Sequence, residues 1–547
     1  MSDMPNNPFD HDYDYDIGYD YDYVIVGSGV AGALIAKELS RAKFSVCLLE
    51  TGARTDRKQA LQRYRQAVTR DLASPFPRWP WAPIPDAGNA EAYFGKDSTP
   101  DYRPSYLKLV GGTTWHWTGM TPRFLPVDFE LHSRYGIGMD WPIDYAALEP
   151  YYLKAENALG VSGDSDDDHG SPRSGRYPML PIPMSYSDSV VAERMEKLGI
   201  QVKSFPAARN SQTYNKRAQC RGNNTCSPLC PNGAQYSADT DVDNALRLGA
   251  RLIEQATVYR LECGTDNRIV AARYKLPDGS DHRVTATRFV VACNTIESPR
   301  LLLMSACEQA PQGVANSSGQ VGRNLMDHVI FFNTFRMDVP LYGGRGPQSV
   351  SGLMTGRDGA FRSQYAAAKL FLSNDINVHG KVLKIIEDQQ AWSDVHNLLR
   401  NDVIHHGCIG GELETLPSSR NRVVLDQDRL DPLGLPLPHL EYQLDNYVHD
   451  GLTQWTGFVK ELIEKMGAKQ TSSDILHSSH HQCGTLRMGN DPKTSVVDRN
   501  CRTHDHANLY VMGSSVFPAI GTANPTLTVA ALSLRLAEHL TSLGKTS

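Results

Sequence analysis

Several absences narrow the class of this 547-residue chain before any motif is read. It has no run of about 18 apolar residues, so no membrane-spanning helix is expected and any membrane contact would go through a partner. It has no excess of basic charge: the formal net charge is −6, which argues against a nucleic-acid partner. Its first 22 residues lack both a basic segment and an apolar core, so no signal peptide is expected. It lacks a dense cysteine framework as well. Of ten cysteines, seven (Cys47, Cys263, Cys293, Cys307, Cys408, Cys483 and Cys501) are scattered, which excludes a small disulfide scaffold. No internal repeat is present.

What remains is an ordinary globular composition, 40% apolar and 21% charged, in a chain too long for one compact core. Residues 1–21 alternate Asp and Tyr and read as a disordered acidic tail, because they hold too little apolar surface to offset their ordering entropy. The apolar run Tyr23–Val26 predicts a strand, followed by a glycine turn, a helix to about residue 41, and a second strand over Ser45–Leu49 that ends at Glu50. Residues 52–105 look irregular. A helix is expected over 145–160, a small sheet within 250–292, β-like alternation over 330–445, a helix over 447–467, a short strand at 508–513 and a closing helix from about 525 to 542.

Gly27, Gly29 and Gly32 form G-x-G-x-x-G between a strand and a helix. The first glycine permits the tight turn, the second lets a pyrophosphate approach the backbone, and the third lets helix and strand pack closely. The helix N-terminus offers free N–H groups to the phosphates. Glu50 sits where a carboxylate accepts hydrogen bonds from a ribose diol and repels a 2′-phosphate. A dinucleotide is expected, and the turn alone does not separate NAD from FAD.

The segment His481-Gln482-Cys483-Gly484-Thr485-Leu486-Arg487-Met488-Gly489 resembles a signature of the glucose-methanol-choline (GMC) oxidoreductases. So does Gly521-Thr522-Ala523-Asn524-Pro525-Thr526-Leu527-Thr528, and so do Val321–His328 and Gly111-Gly112-Thr113-Thr114. The resemblance is collinear from about residue 22 to the end. It implies an α/β fold: a Rossmann-type FAD-binding domain formed by residues 22–330 and 485–547, and a sheet-plus-helix substrate domain over 331–484. Within the family, Val110–Trp117, Tyr135–Trp141 and Cys220–Tyr236 are similar to the catalytic large subunits of bacterial membrane-associated sugar dehydrogenases.

The resemblance implies that FAD takes a hydride at N5 while His481 accepts the hydroxyl proton and Asn524 holds the same hydroxyl. A neutral imidazole suits that work near pH 7. His477 and His480 are nearby histidines with a lesser claim. Gly27, Gly29, Gly32, Glu50, Gly111, Gly112, Asn524 and Thr526 are the expected cofactor contacts, and the helix near Pro525 presents its positive end to the flavin. His116 matches a histidine that bears a covalent flavin in some relatives; the alternative is a noncovalent flavin with His116 packed nearby.

Cys220, Cys226 and Cys230, followed by Pro231, suggest the ligands of a 3Fe–4S cluster. Zinc would call for a fourth ligand, and no histidine lies close in sequence. In the sugar dehydrogenases a second cysteine commonly follows the first; here that position is Arg221, whose charge would raise the potential. The resemblance further implies a cytochrome c subunit as acceptor and a small chaperone-like subunit with a twin-arginine signal. Those partners would place the chain at the periplasmic face of the inner membrane; without them it would be cytoplasmic. His480 and Arg487 are extra potential cations near the site and favour an aldonate, hence a gluconate 2-dehydrogenase-like activity. The alternatives are a glucose 1-dehydrogenase or related sugar or alditol dehydrogenase, an O₂-using oxidase like pyranose oxidase, and a non-enzymatic electron-relay flavoprotein.

Overall fold

The structure is a computed structural model describing residues 20–68, 71–82, 93–99, 101–375 and 378–544. Most of the expected acidic tail, residues 1–19, lies outside the described residues. The first strand begins earlier than expected, at Asp20, and runs to Val26. It lies parallel between Val46–Leu49 and Asp281–Val291. Tyr23–Val26 of the first strand and all of Val46–Leu49 are buried, as continuous apolar runs require in a sheet covered on two faces.

The sheet is larger than the glycine turn alone suggests. Its order is Arg251–Ile253, Val46–Leu49, Asp20–Val26, Asp281–Val291, Ile269–Lys275, Thr257–Cys263. The separate small sheet expected over 250–292 is therefore corrected: those strands extend the Rossmann sheet. The 11-residue strand Asp281–Val291 makes the join. Its beginning pairs antiparallel with Ile269–Lys275, and its end pairs parallel with Leu509–Val511. The closing helix, Thr526–Ser542, packs against Val30–Arg41 and Tyr145–Leu159. Tyr23 Oη donates to the Leu540 carbonyl at 3.0 Å, fastening the first strand to the last helix. The two ends of the chain thus build one layer.

A second, fully antiparallel sheet has the order Lys469–Leu476, Val329–Arg336, His406–Leu413, Ala368–Ser373, Ser351–Leu353, Lys203–Ser204. Strand periodicity gives it two faces. Val329, Phe331, Phe335, Leu370, Ile409 and Leu413 pack against the apolar side of the helix Asn446–Lys465. The opposite face carries Ile330 and Phe371 with Phe205 and Met120, and two buried charges, Lys369 and Glu412.

A three-stranded sheet joins Arg422–Leu430, Pro436–Gln443 and Gly95–Thr99. That last strand and the helix Arg57–Gln66 lie within 52–105, the stretch read as irregular. The helix is polar, capped by Asp56, and buries only Ala60, so it shows no apolar period. The strand Gly-Lys-Asp-Ser-Thr has a single β-former, Thr99 at its end; pairing with Pro436–Gln443 holds it extended.

Where the sheets meet, Arg362 is fully buried. Its Nη2 lies 2.9 Å from Asp128 and 2.5 Å from Glu414, and its Nε donates to Glu414 at 3.0 Å. Replacing Arg362 with Met strands two buried carboxylates. The expected loss of stability is about 3–5 kcal/mol, read as a lowered urea midpoint; an unchanged midpoint would show that the carboxylates find other partners.

Candidate active site

The N-terminal turn has the shape a pyrophosphate needs. Gly27 takes φ +99°. A Cβ on Gly32 would lie 1.9 Å from the Gly27 carbonyl oxygen, so only glycine permits this helix–turn contact. A Cβ on Gly29 would meet nothing within 4 Å, leaving open space beside the first N–H groups of the helix Val30–Arg41. Gly112 packs over Gly29, and the Gly111 N–H reaches Ser28 Oγ at 3.3 Å. Glu50 accepts from Ser28 N at 3.0 Å, Ser28 Oγ at 2.8 Å and Gly52 N at 2.9 Å. Burial raises its pKa and these hydrogen bonds oppose the rise. The same carboxylate lines the cleft, so it both braces the turn and faces the ribose position.

One cleft is lined by Gly27, Gly29, Glu50, Gly112, His481 and Thr526. The dinucleotide turn and the C-terminal signatures, more than 400 residues apart in sequence, therefore share a wall. Pro525 caps the helix Thr526–Ser542, whose first turn carries no acid and opens on the cleft. Gly32 and Gly111 lie behind the wall as packing residues, and His116 packs edge-on against Phe76 at 6.0 Å. Burial, with a smaller push from His480, depresses the His116 pKa to about 3.

His481 Nε2 faces Asn524 Nδ2 at 3.1 Å. Its Nδ1 lies 2.9 Å from His328 Nδ1, and His328 Nε2 lies 2.9 Å from the Gly521 carbonyl. The His481 backbone N–H donates to Asp327 at 2.8 Å, and Asp327 also accepts from Ser478 Oγ at 2.6 Å and Tyr102 Oη at 3.1 Å. Behind Asn524, Lys369 donates to its Oδ1 and lies 2.6 Å from Glu412. Ligand atoms of His328, Glu412 and His481 all fall within 4.8 Å of one another; the two rings are hydrogen-bonded, and Glu412 stands beside them as a nearby charge. Burial depresses the His481 pKa to about 3. The ring is therefore neutral, and a hydroxyl inserted at the His481–Asn524 contact would meet one acceptor and one donor.

The neighbouring histidines and Arg487 do something else. His480 Nδ1 accepts the Ser105 N–H at 3.0 Å, which requires a neutral ring, and His477 does not line the cleft. Arg487 donates to the Thr494 carbonyl at 2.9 Å and contacts Met139 Sδ at 2.8 Å, away from the cleft wall.

Cys226 and Cys230 are buried and Cys220 is half-buried. Their sulfurs do not form a group within 4.8 Å. Two sulfurs on one zinc lie at most about 4.6 Å apart, so this spread does not suit a single zinc ion. Arg221 is exposed and cannot be the cation that influences the thiols most. That place belongs to Arg209, which is fully buried and donates to Cys226 Sγ at 3.2 Å. Burial raises the Cys226 pKa and Arg209 pulls it down. The other Arg209 partners are the neutral carbonyls of Gln348 and Ser349, and no carboxylate pairs with it among the described residues. Arg57 donates to the Cys230 carbonyl at 3.0 Å. The Gly222 N–H also reaches Cys220 Sγ at 3.4 Å.

Reading the sequence misses Lys369, Glu412, Asp327, His328 and Arg209 as site residues. Asp327 and His328 lie in a quoted family segment, without an assigned task. Lys369 and Glu412 carry a signal, a single charge within an otherwise apolar strand. Arg209 carries none.

Family models described as GMC oxidoreductase match residues 180–330 and 417–533, and an NAD(P)-binding Rossmann-like domain model matches residues 25–55. The chain is 39% identical to the fructose dehydrogenase large subunit of Gluconobacter japonicus, covering 94% of this chain and 97% of that one. It is 25% identical to the gluconate 2-dehydrogenase flavoprotein of Pantoea cypripedii, covering 93% and 91%. Pyridoxine 4-oxidase from Mesorbium loti has the same fold, with TM-score 0.62 at 19% identity over 95% of this chain and 99% of that one. With the glycine cradle and the C-terminal signatures on one cleft, these likenesses show that the chain belongs to the GMC oxidoreductase family and is an FAD-dependent oxidoreductase acting on CH–OH groups.

Proposed function

We propose that the chain is the catalytic subunit of a sugar dehydrogenase, with His481 as the base and Asn524 as its partner at the reacting hydroxyl. The 3.1 Å contact between them, on the cleft that also holds the dinucleotide turn, carries this reading. FAD, when bound, supplies the hydride acceptor. Gly29 and the first turn of Val30–Arg41 would hold its pyrophosphate, Glu50 its ribose, and Thr526 the far end. His481 Nε2 takes the hydroxyl proton and Asn524 Nδ2 donates to the same oxygen. Covalent attachment at His116 is proposed from the family resemblance; the residue follows Gly112–Thr114 of the cleft wall without itself lining it.

A neutral sugar fits the cleft better than an aldonate. The aldonate preference rests on charge at His480 and Arg487, but His480 is neutral and Arg487 is committed elsewhere. The 39% identity to a fructose dehydrogenase, against 25% to a gluconate 2-dehydrogenase, points the same way. Gluconate is the second reading, supported by that more distant likeness. In a dye-reduction screen of fructose, glucose, sorbitol, gluconate and 2-ketogluconate, we expect saturable activity with a neutral sugar. Activity confined to the two acids would overturn the preference.

Cys220, Cys226 and Cys230 would hold a 3Fe–4S cluster, whose chemistry there is one-electron transfer to a cytochrome c subunit. The buried Arg209 supports this. A guanidinium without a carboxylate partner needs a negative charge nearby, and cluster thiolates supply it. The relative's description as a large subunit supports partner chains; the twin-arginine escort and the cytochrome c subunit are proposed from the family resemblance. Such an assembly would sit at the periplasmic face of the inner membrane.

His481→Ala should retain FAD and slow flavin reduction by roughly 10²–10⁴-fold; near-normal reduction would remove His481 as base. Cys226→Ser should lower the iron content and abolish cytochrome reduction while flavin reduction continues. Unimpaired cytochrome reduction would count against the cluster route.

A further inference from the structure

Two chains of hydrogen bonds converge on one nitrogen. The first starts at the Gly521 carbonyl, which can only accept. His328 Nε2, 2.9 Å away, must therefore carry the proton. Burial keeps His328 neutral, so its Nδ1 is a lone pair and accepts across 2.9 Å from His481 Nδ1. The second starts at the Lys369 ammonium, which can only donate, so its partner on Asn524 is Oδ1. The remaining amide atom, Nδ2, donates to His481 Nε2 at 3.1 Å. Each chain independently leaves His481 with hydrogen on Nδ1 and a lone pair on Nε2.

We infer that Lys369 and His328 are positioning residues that hold His481 in its Nδ1–H tautomer and turn the Asn524 amide nitrogen toward the His481 Nε2 lone pair. The inference rests on the proposed reading of His481 as the base. Without Lys369, the Asn524 amide is free to rotate and offer Oδ1 to Nε2, which favours the tautomer that cannot accept a proton there. Without His328, the Nδ1–H loses its acceptor.

Glu412 completes the device. It lies opposite Lys369 and close to His481. The charged or titratable groups facing the imidazole are Glu412 and Lys369 from the second sheet, His328 ahead of the strand Val329–Arg336, and His480 from its own segment. The Asp327 carboxylate holds the His481 backbone N–H. Glu412 favours an imidazolium, while Lys369 opposes it. Burial opposes ionisation of Glu412, but Lys369 holds its pKa at about 2. Burial keeps the imidazole neutral at rest, and the pair leaves a carboxylate near it once it has taken a proton.

The test uses FAD-loaded protein carrying ¹⁵N-histidine, with His481 assigned from the spectrum of His481→Ala. The wild type should show protonated Nδ1 and unprotonated Nε2. Lys369→Met should shift the tautomer toward Nε2–H and, with Glu412 left uncompensated, raise the acid limb of the flavin-reduction profile with D-fructose by about one pH unit. Lys369→Arg should keep the wild-type tautomer. Lys369→Met/Glu412→Gln, a neutral pair, should return the acid limb toward wild type and guards against misfolding of the single variant. Protonated Nε2 in the wild type, or a Lys369→Met protein with wild-type tautomer and profile, overturns the inference. Normal flavin reduction in His481→Ala would instead defeat the base reading, and the tautomer spectra would still decide the positioning claim.

Discussion

The contact of His481 with Asn524 joins the two layers of the molecule. Asn524 is fixed at the entry to the helix Thr526–Ser542, which belongs to the Rossmann layer. His481 follows the strand Lys469–Leu476 of the second sheet and is tied to Asp327 and His328, which precede Val329–Arg336. The face of the second sheet that carries Lys369 and Glu412 therefore rests on the C-terminal loops of the first. Two opposite buried charges 2.6 Å apart survive there because each satisfies the other. Removing either one leaves an uncompensated charge in the interior, so this part of the sheet cannot be separated from the chemistry it supports.

The balance of charge differs between the two halves of the site. Around His481, positive and negative groups balance, and burial keeps the imidazole neutral. Around Cys226 the balance is one-sided: Arg209 has carbonyl partners and a thiol. The neutral region suits removal of a proton from a neutral hydroxyl. The cationic region suits the anionic thiolate cluster proposed for Cys220, Cys226 and Cys230. A substrate carrying its own negative charge finds no free cation from His480 or Arg487, and this shifts the proposed substrate from an aldonate to a neutral sugar.

Interactions within a short stretch of chain are legible in order along the sequence. The glycine turn, the strand before it, the acid closing the next strand and the Asn524-Pro525-Thr526 helix entry all show themselves this way, because turn geometry, helix capping and apolar periodicity are local. Each helix expected from an apolar stripe is present, with ends within a residue or two. The polar helix Arg57–Gln66 and the strand Gly95–Thr99 escape such reading, since their partners, not their own residues, hold them.

Long-range contacts are a different matter. Arg221 and Arg487 stand beside key residues in the sequence, yet one is exposed and the other faces Thr494 and Met139. Arg209 touches Cys226 across 17 residues of chain, Lys369 touches Asn524 across 155, and Glu412 faces His481 from a separate strand. Contiguous residues were enough to mark the dinucleotide turn, the family and the His481 and Asn524 segments that meet in the fold. Which charges surround that pair, and which histidine tautomer results, emerged only when strands remote along the chain were laid against it, because burial and hydrogen-bond partners depend on folded neighbours and not on chain order.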